Sequence, residues 1–326
     1  MNDDSQTDSR KALAEILALI GLSLIGIIVF SAIGLGVAKL ILDAPMEQIQ
    51  EMMSLEKHGP KGRIALLILQ GIISLGSFVA MPALVRFFFP NSQFSKAKSL
   101  VPNFTLMLLV SGLGMLMMPV NGWLSVWNQR IQMPSFLQEF QNWAMAKEQE
   151  MEKLTLFLVD FQSPLELILG FIVISLIAGL SEEFFFRKML QPRMMGLTGN
   201  IHVAIWFTAF IFSAIHMQFY GLIPRMALGA LFGYYYYWTG NIWVPVFAHS
   251  FNNGVTLIGM YLYQQEISPL NVDDPKQIPT YLGAVAAGLT WSLASMVKDE
   301  ADKINARRKA RLADQINTTP VNLDLM

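Results

Sequence analysis

Several apolar runs in this 326-residue chain approach or exceed the ~20 residues that an α-helix needs to cross a bilayer. That feature removes most folds at once, because a backbone in lipid must satisfy its own hydrogen bonds and does so as helices. The first run, Ala12 to Leu42, is much longer than a signal-peptide core and reads as an uncleaved span. Composition agrees. Hydrophobic residues make up 53% and charged residues 14%, against about 25% charged in a soluble domain. The net charge of −1 says nothing about partners; no basic patch lies inside the apolar region and no nucleic-acid motif is present. With no cysteine there is neither disulfide nor thiolate chemistry. The 20 methionines read as packing filler.

The predicted class is therefore all-α, a polytopic transmembrane bundle of about eight spans. Met1 to Arg10 is polar and expected to be disordered. After the first span, Ala44 to Lys61 is an amphipathic or irregular loop with Gly59-Pro60 as a stop. The second span is Ile64 to Phe89. The third, Phe104 to Trp127, is interrupted by Pro119, a residue able to break or kink it. The hydrophilic stretch Asn128 to Gln162 contains helical spacing, with Phe136, Phe140, Trp143, Ala144 and Met151 on one face. Lys147 falls on that face and would have to snorkel. A helix lying on the membrane and a helix packed over the bundle mouth fit equally. Ser163-Pro164-Leu165-Glu166 carries a helix-start signature and opens the fourth span, with Pro192 as a kink or end. Ile201–Met217, Gly221–Trp238, Ile242–Tyr263 and Pro279–Val297 follow, with Thr-Gly-Asn turns at 198–200 and 239–241. Gly229 and Gly233 are placed for close helix contact. The tail from Lys298 is a charged helix, with its last dozen residues expected to be disordered. The expected units are residues 1–163 (three spans and an amphipathic loop), 164–263 (a four-span catalytic core) and 264–326 (the last span and a charged tail).

Within the fourth span stands Ser181-Glu182-Glu183-Phe184-Phe185-Phe186-Arg187. A carboxylate at the centre of a membrane helix costs about 2.5–3.5 kcal/mol on insertion scales, so such a group reads as functional by default. Glu183 and Arg187 are one turn apart and share a face. Glu182 lies about 100° round the helix. One carboxylate is thereby neutralised by the guanidinium and the other left free. His216 lies at similar depth, both it and Glu183 being roughly 20–25 Å from the 198–200 turn. His249 is shallower, roughly 12 Å from its own turn, and needs tilt or a displaced turn to converge. Asn253 shares its face. His202 and His58 read as surface groups, and Arg225 as an interface anchor.

Two histidines and a carboxylate at one depth suggest water activation. A glutamate can act as general base. The histidines can orient the water, donate to an oxyanion or bind a metal. Glu182, His216 and His249 are the candidate ligands, and zinc the metal they would suit. Neither Gly-x-Ser-x-Gly nor His-Glu-x-x-His is present.

The order Glu182-Glu183-x-x-x-Arg187, Phe212-x-x-x-His216, His249-x-x-x-Asn253 resembles the CPBP family. These are intramembrane proteases that include type II CAAX prenyl proteases and bacterial Abi-type proteins. The segment Trp238 to His249 is also similar, and the resemblance covers about Pro164 to Tyr263. It implies that Glu182 activates water with help from His216. It further implies that Glu183 and Arg187 organise the site, and that His249 and Asn253 stabilise the oxyanion. The expected function is an intramembrane endopeptidase acting on a membrane-associated protein or peptide, in the lipid bilayer and without nucleic acid. Metal assistance is open. The alternatives are a non-catalytic membrane protein of the bacteriocin self-immunity type and a cation or proton transporter, although two Thr-Gly-Asn turns are too little for a transporter's inverted repeats.

Eight spans put both ends of the chain on one side. That side carries 14 of the 23 Lys and Arg residues, which places both termini in the cytoplasm of a multi-pass protein of the cell (inner) membrane. A reporter that works only inside the cell, fused after Met326, is expected to be active. Activity of an outside-only reporter at the same point would reverse the orientation.

Overall fold

A computed structural model describes residues 2–53, 59–90, 103–272, 274, 277 and 279–318. The readings made above for His58 and for residues 319–326 fall outside this set. Every regular element among the described residues is helical. We number them α1 (Asn2–Leu42), α2 (Met46–Met53), α3 (Pro60–Phe88), α4 (Phe104–Asn128) and α5 (Gln138–Val159). Then come α6 (Pro164–Thr198), α7 (Ile201–Ala214), α8 (Leu222–Thr239), α9 (Trp243–Gln264) and α10 (Thr280–Thr318). The fold is a helical membrane bundle. By length and apolar composition, four described stretches can cross a bilayer: Ser9–Leu42 of α1, α3, α4 and α6. α7 is apolar but short.

Helix ends differ from expectation. The backbone is helical from Asn2, where disorder was expected, and α10 runs unbroken to Thr318 into the region read as a disordered end. Extending an existing helix by one residue is far easier than nucleating a new one, so a long apolar span carries its polar flank with it. Neither candidate breaker ends its helix. Pro119 lies inside α4. α6 continues past Pro192 and contains two π-helical stretches, Phe171–Ile177 and Phe184–Leu190. Such wide turns leave carbonyls without their usual donors and occur often at functional sites. Three side chains supply donors here: Asn253 Nδ2 to Ile174 O at 3.0 Å, Ser181 Oγ to Ile177 O at 2.7 Å and Arg193 Nη1 to Met189 O at 2.6 Å.

Both Thr-Gly-Asn turns work alike. Gly199 and Gly240 take positive φ (66° and 60°), a conformation open to glycine without a Cβ penalty. Asn200 then caps α7 by accepting from the N–H of His202 and Val203. Ser163 caps α6 as its signature predicted, accepting from the N–H of Glu166.

Lipid tails are as apolar as leucine, so helices in a bilayer are not driven together by apolar burial; close packing and interhelical hydrogen bonds do that work. α6 is tied to α3 by Ser181 and Ser74 (2.6 Å) and to α9 by Ser175, which donates to Ser250 O at 2.7 Å. At Gly179 a Cβ would stand 2.3 Å from Ser250 Oγ, so only glycine lets α6 and α9 approach this far. Two apolar clusters flank the resulting groove. One joins α4, α8, α9 and α10 around Leu113, Phe232 and Val244, and the other joins α1, α3, α6 and α7 around Leu19, Val85, Phe185 and Phe212.

α5 packs against the segment between α7 and α8. Phe140 and Trp143 meet Phe219 edge-on at 5.6 and 5.4 Å between centroids, and Glu148 accepts from the N–H of Tyr220 at 3.0 Å. Phe136 is exposed, and Lys147 pairs with Glu150 at 2.6 Å instead of snorkelling.

Arg63 is a junction that span-counting did not anticipate. From the start of α3 it donates to Phe157 O (2.8 Å), Glu166 Oε2 (2.6 Å) and Asp160 Oδ2 (3.0 Å), and so fixes the α5–α6 corner. Arg63 and Glu166 are buried, whereas the Asp160 side chain is 54% exposed. Arg63→Met leaves the Glu166 carboxylate buried without its partner and is expected to cost about 3–5 kcal/mol. Asp160→Asn is expected to cost about 1 kcal/mol or less. Thermal unfolding of the two variants in detergent checks the contrast.

Candidate active site

The two adjacent glutamates leave α6 in different directions, and the structure gives them different surroundings. Glu183 is fully buried. Its Oε2 stands 3.0 Å from Arg187 Nε, the one-turn pairing expected from the sequence. The angle there is not that of a hydrogen bond, since Oε2 has no hydrogen-bond donor; the contact is an ion pair. Its Oε1 stands 2.8 Å from His249 Nδ1. Glu182 is half-buried and faces the cavity, with its Oε2 3.9 Å from His249 Nε2.

Arg187 is almost completely buried, and its Nη2 donates to Gly229 O at 2.8 Å. Its guanidinium carbon lies 4.8 Å from the ring centre of Phe212, 5.6 Å from Phe232 and 5.8 Å from Phe186. Ring faces attract a desolvated cation. A Cβ at position 229 would come within 3.3 Å of Arg187 Nη2 and 3.0 Å of Phe212, so Gly229 makes room for this charge.

His249 does converge on the glutamates. The meeting at 2.8 Å supplies the tilt or displaced turn that depth-counting required. Its ring is stacked on Phe232 (5.0 Å) and meets Phe212 edge-on (5.8 Å). With an ionised Glu183 as acceptor, Nδ1 carries a proton and Nε2 is directed to the Glu182 side. His216 is held similarly, with Nδ1 2.8 Å from Phe212 O and its ring against Phe212 at 5.3 Å. Phe212 thus orients Arg187, His249 and His216 together, a role that its place in the Phe-x-x-x-His motif did not disclose. Asn253 uses Nδ2 on Ile174 O, and its Oδ1 accepts from Asn252 Nδ2 at 3.4 Å.

These groups meet at a cavity of about 750 Å³. Glu182, His216, His249 and Asn253 line it; Glu183 and Arg187 are not among its lining residues. Among the other polar groups there that sequence reasoning missed are Asn252, beside the motif asparagine; Glu148 on α5; and Arg225, read above as an interface anchor. The rule that flags an ionisable residue among apolar helices would have found Arg225, but its place next to a turn argued otherwise. Burial pushes the Glu148 carboxyl up from its ordinary range, partly offset by the Tyr220 N–H and by the charge of Arg225. His202 contacts Tyr234 at the surface and takes no part.

The candidate metal ligands Glu182, His216 and His249 share the cavity. Among the described residues, however, no three His, Asp or Glu side chains are grouped as a metal site.

Residues 164–255 match the family described as type II CAAX prenyl endopeptidase Rce1-like. The chain is 33% identical over 82 residues to the uncharacterized protein YpbD of Bacillus subtilis (strain 168), a match covering 24% of this chain and 39% of that protein. It is 33% identical over 87 residues to YdiL of the same organism, whose name gives it only as a candidate membrane peptidase; that match covers 27% of this chain and 35% of the relative. The matched segment thus spans less than two fifths of the length of either relative. No solved structure matches the chain. Glu182, Glu183, Arg187, His216, His249 and Asn253 all lie in the segment that matches this family, so the segment to which the three motifs pointed is similar to the Rce1-like endopeptidases.

Proposed function

We propose that the protein is an intramembrane endopeptidase in which Glu182 activates water against a peptide bond of a membrane-associated protein or peptide. The observation that carries this reading is the unequal engagement of the two glutamates around His249. Glu183 is taken up by Arg187 and His249 Nδ1, while Glu182 stands at the cavity wall near His249 Nε2. A carboxylate that lines the cavity, with no charged partner closer than His249 Nε2 at 3.9 Å, is placed to act as a general base.

The steps follow from these groups. Glu182 takes a proton from water as the water oxygen bonds to the scissile carbonyl carbon. The carbonyl electrons move to oxygen, and His249, acting as an imidazolium with Nδ1–H held by Glu183, donates to the oxyanion from Nε2–H; Asn252 and Asn253 supply further amide groups at the cavity wall. Glu182 then returns the proton to the amine as the C–N bond breaks, giving a carboxylic acid and an amine. His216 orients the water through the ring nitrogen not engaged by Phe212. Glu183, Arg187 and Phe212 position the reacting groups without touching substrate. No step is routed through a metal. The resemblance of residues 164–255 to CAAX-type endopeptidases supports the reaction class.

Cleavage of a membrane peptide library by purified full-length protein tests the proposal. Glu182→Gln keeps the shape but removes the base, and is expected to lower the rate by at least ~10². Equal cleavage by the variant would remove Glu182 from the role. No cleavage by the wild-type protein would favour the non-catalytic alternative.

Arg187→Ala is expected to lower thermal stability by about 3–5 kcal/mol, because it leaves Glu183 buried without its counter-charge. Glu182→Gln is expected to leave stability near wild type. The double change Glu183→Gln with Arg187→Met is expected to recover much of the loss, since no lone charge remains. A double mutant as unstable as the sum of its singles would show that the pair is not coupled.

A further inference from the structure

Arg225 is a cavity cation that the mechanism above does not use. It stands in the first turn of α8, and its Nη2 donates to the neutral Gln218 Oε1 at 2.5 Å. Its Nη1 is buried with no hydrogen-bond partner. Arg187 offers a contrast. It too has an orphan Nη1, but it is ion-paired through Nε and lies over three aromatic rings. Among the described residues Arg225 has neither an ion pair nor a ring face.

A buried guanidinium N–H left unmade is expensive, and each one in a native structure calls for a reason. The guanidinium fork fits a carboxylate through two parallel hydrogen bonds, a geometry lysine cannot reproduce. Here that fork shares a cavity with Glu182. The other charged lining groups, Glu148, Glu152 and Asp274, are carboxylates, so among the described residues that line the cavity Arg225 is the only fixed cation.

We propose that Arg225 holds a carboxylate of the substrate peptide and so sets which bond Glu182 attacks. That carboxylate is the peptide's own C-terminus or an acidic side chain near the scissile bond; both present the same oxygens to the fork. The inference rests on the protease reading of the cavity, and its test uses binding so that the two fail separately.

Full-length protein carrying Glu182→Gln, in nanodiscs, is offered three fluorescent apolar peptides. One has a free C-terminal carboxylate and no acidic side chain; one is its C-terminal amide; the third is the amide with a single glutamate near its end. A carboxylate-bearing peptide is expected to bind at least about tenfold more tightly than the plain amide. Adding Arg225→Gln is expected to bring that ratio near one, and Arg225→Lys to keep only part of it. Tighter binding of the acid peptide identifies the C-terminus as the source, and tighter binding of the glutamate peptide identifies a side chain. Equal binding of all three overturns the proposal and leaves Arg225 as a counter-charge to the cavity carboxylates. A preference that survives Arg225→Gln overturns it too. The peptide comparison needs no change at Arg225, so it decides even where the Gln variant does not fold. A carboxylate preference in a protein that cleaves nothing would support the Arg225 subsite and count against the protease reading alone.

Discussion

Arg187 is a full positive charge with no access to water, and what surrounds it answers to that condition. α6 supplies the counter-charge, Glu183; α8 supplies the Gly229 carbonyl; and rings of Phe186, Phe212 and Phe232 cover the guanidinium. His249 of α9 closes the set through Glu183. Four helices are therefore held to one ion pair. In a bundle where lipid competes equally for every apolar face, such a unit fixes register and rotation as apolar packing alone would not. The requirement reaches the backbone, since the closeness of Arg187 to position 229 leaves no easy room for a Cβ.

Burying one glutamate releases the other. Because Glu183 is committed to Arg187 and His249, His249 is fixed in orientation and its second nitrogen is turned to Glu182 at the cavity wall. The π-helical turns on either side of the Ala178–Glu183 segment contribute as well. They leave Ile174 O for Asn253, which brings the last motif residue against the same helix that carries the glutamates. Site and scaffold thus share their hydrogen bonds.

The mouth of this cavity is built by a segment outside the matched family region. α5 reaches it through Glu148 and the ring contacts to Phe219, and the Arg63 junction fixes the corner from which α5 turns into α6. The N-terminal region therefore shapes access to the groups that residues 164–255 provide.

Much of this was readable in one dimension. Run length and composition determined the helical membrane class, because lipid forbids an unsatisfied backbone. Helix periodicity determined that Glu183 would meet Arg187 and Glu182 would not, because residues one turn apart must share a face. The serine cap of α6 and the Thr-Gly-Asn turns were likewise local matters. What the sequence could not decide were encounters between helices. Depth-counting left His249 too shallow, and only the packing of α9 on α6, at a glycine contact, brought its ring to Glu183. Arg225 read as an anchor beside a turn because its surroundings come from other helices and from α5. Arg63 stands between the loop ending at Lys61 and the span from Ile64, and nothing local shows that Glu166 and Phe157, about a hundred residues away, close on it. Local rules fix which way a side chain leaves its own helix; what it meets there depends on tilt and offset between helices, and those are set by the bundle as a whole.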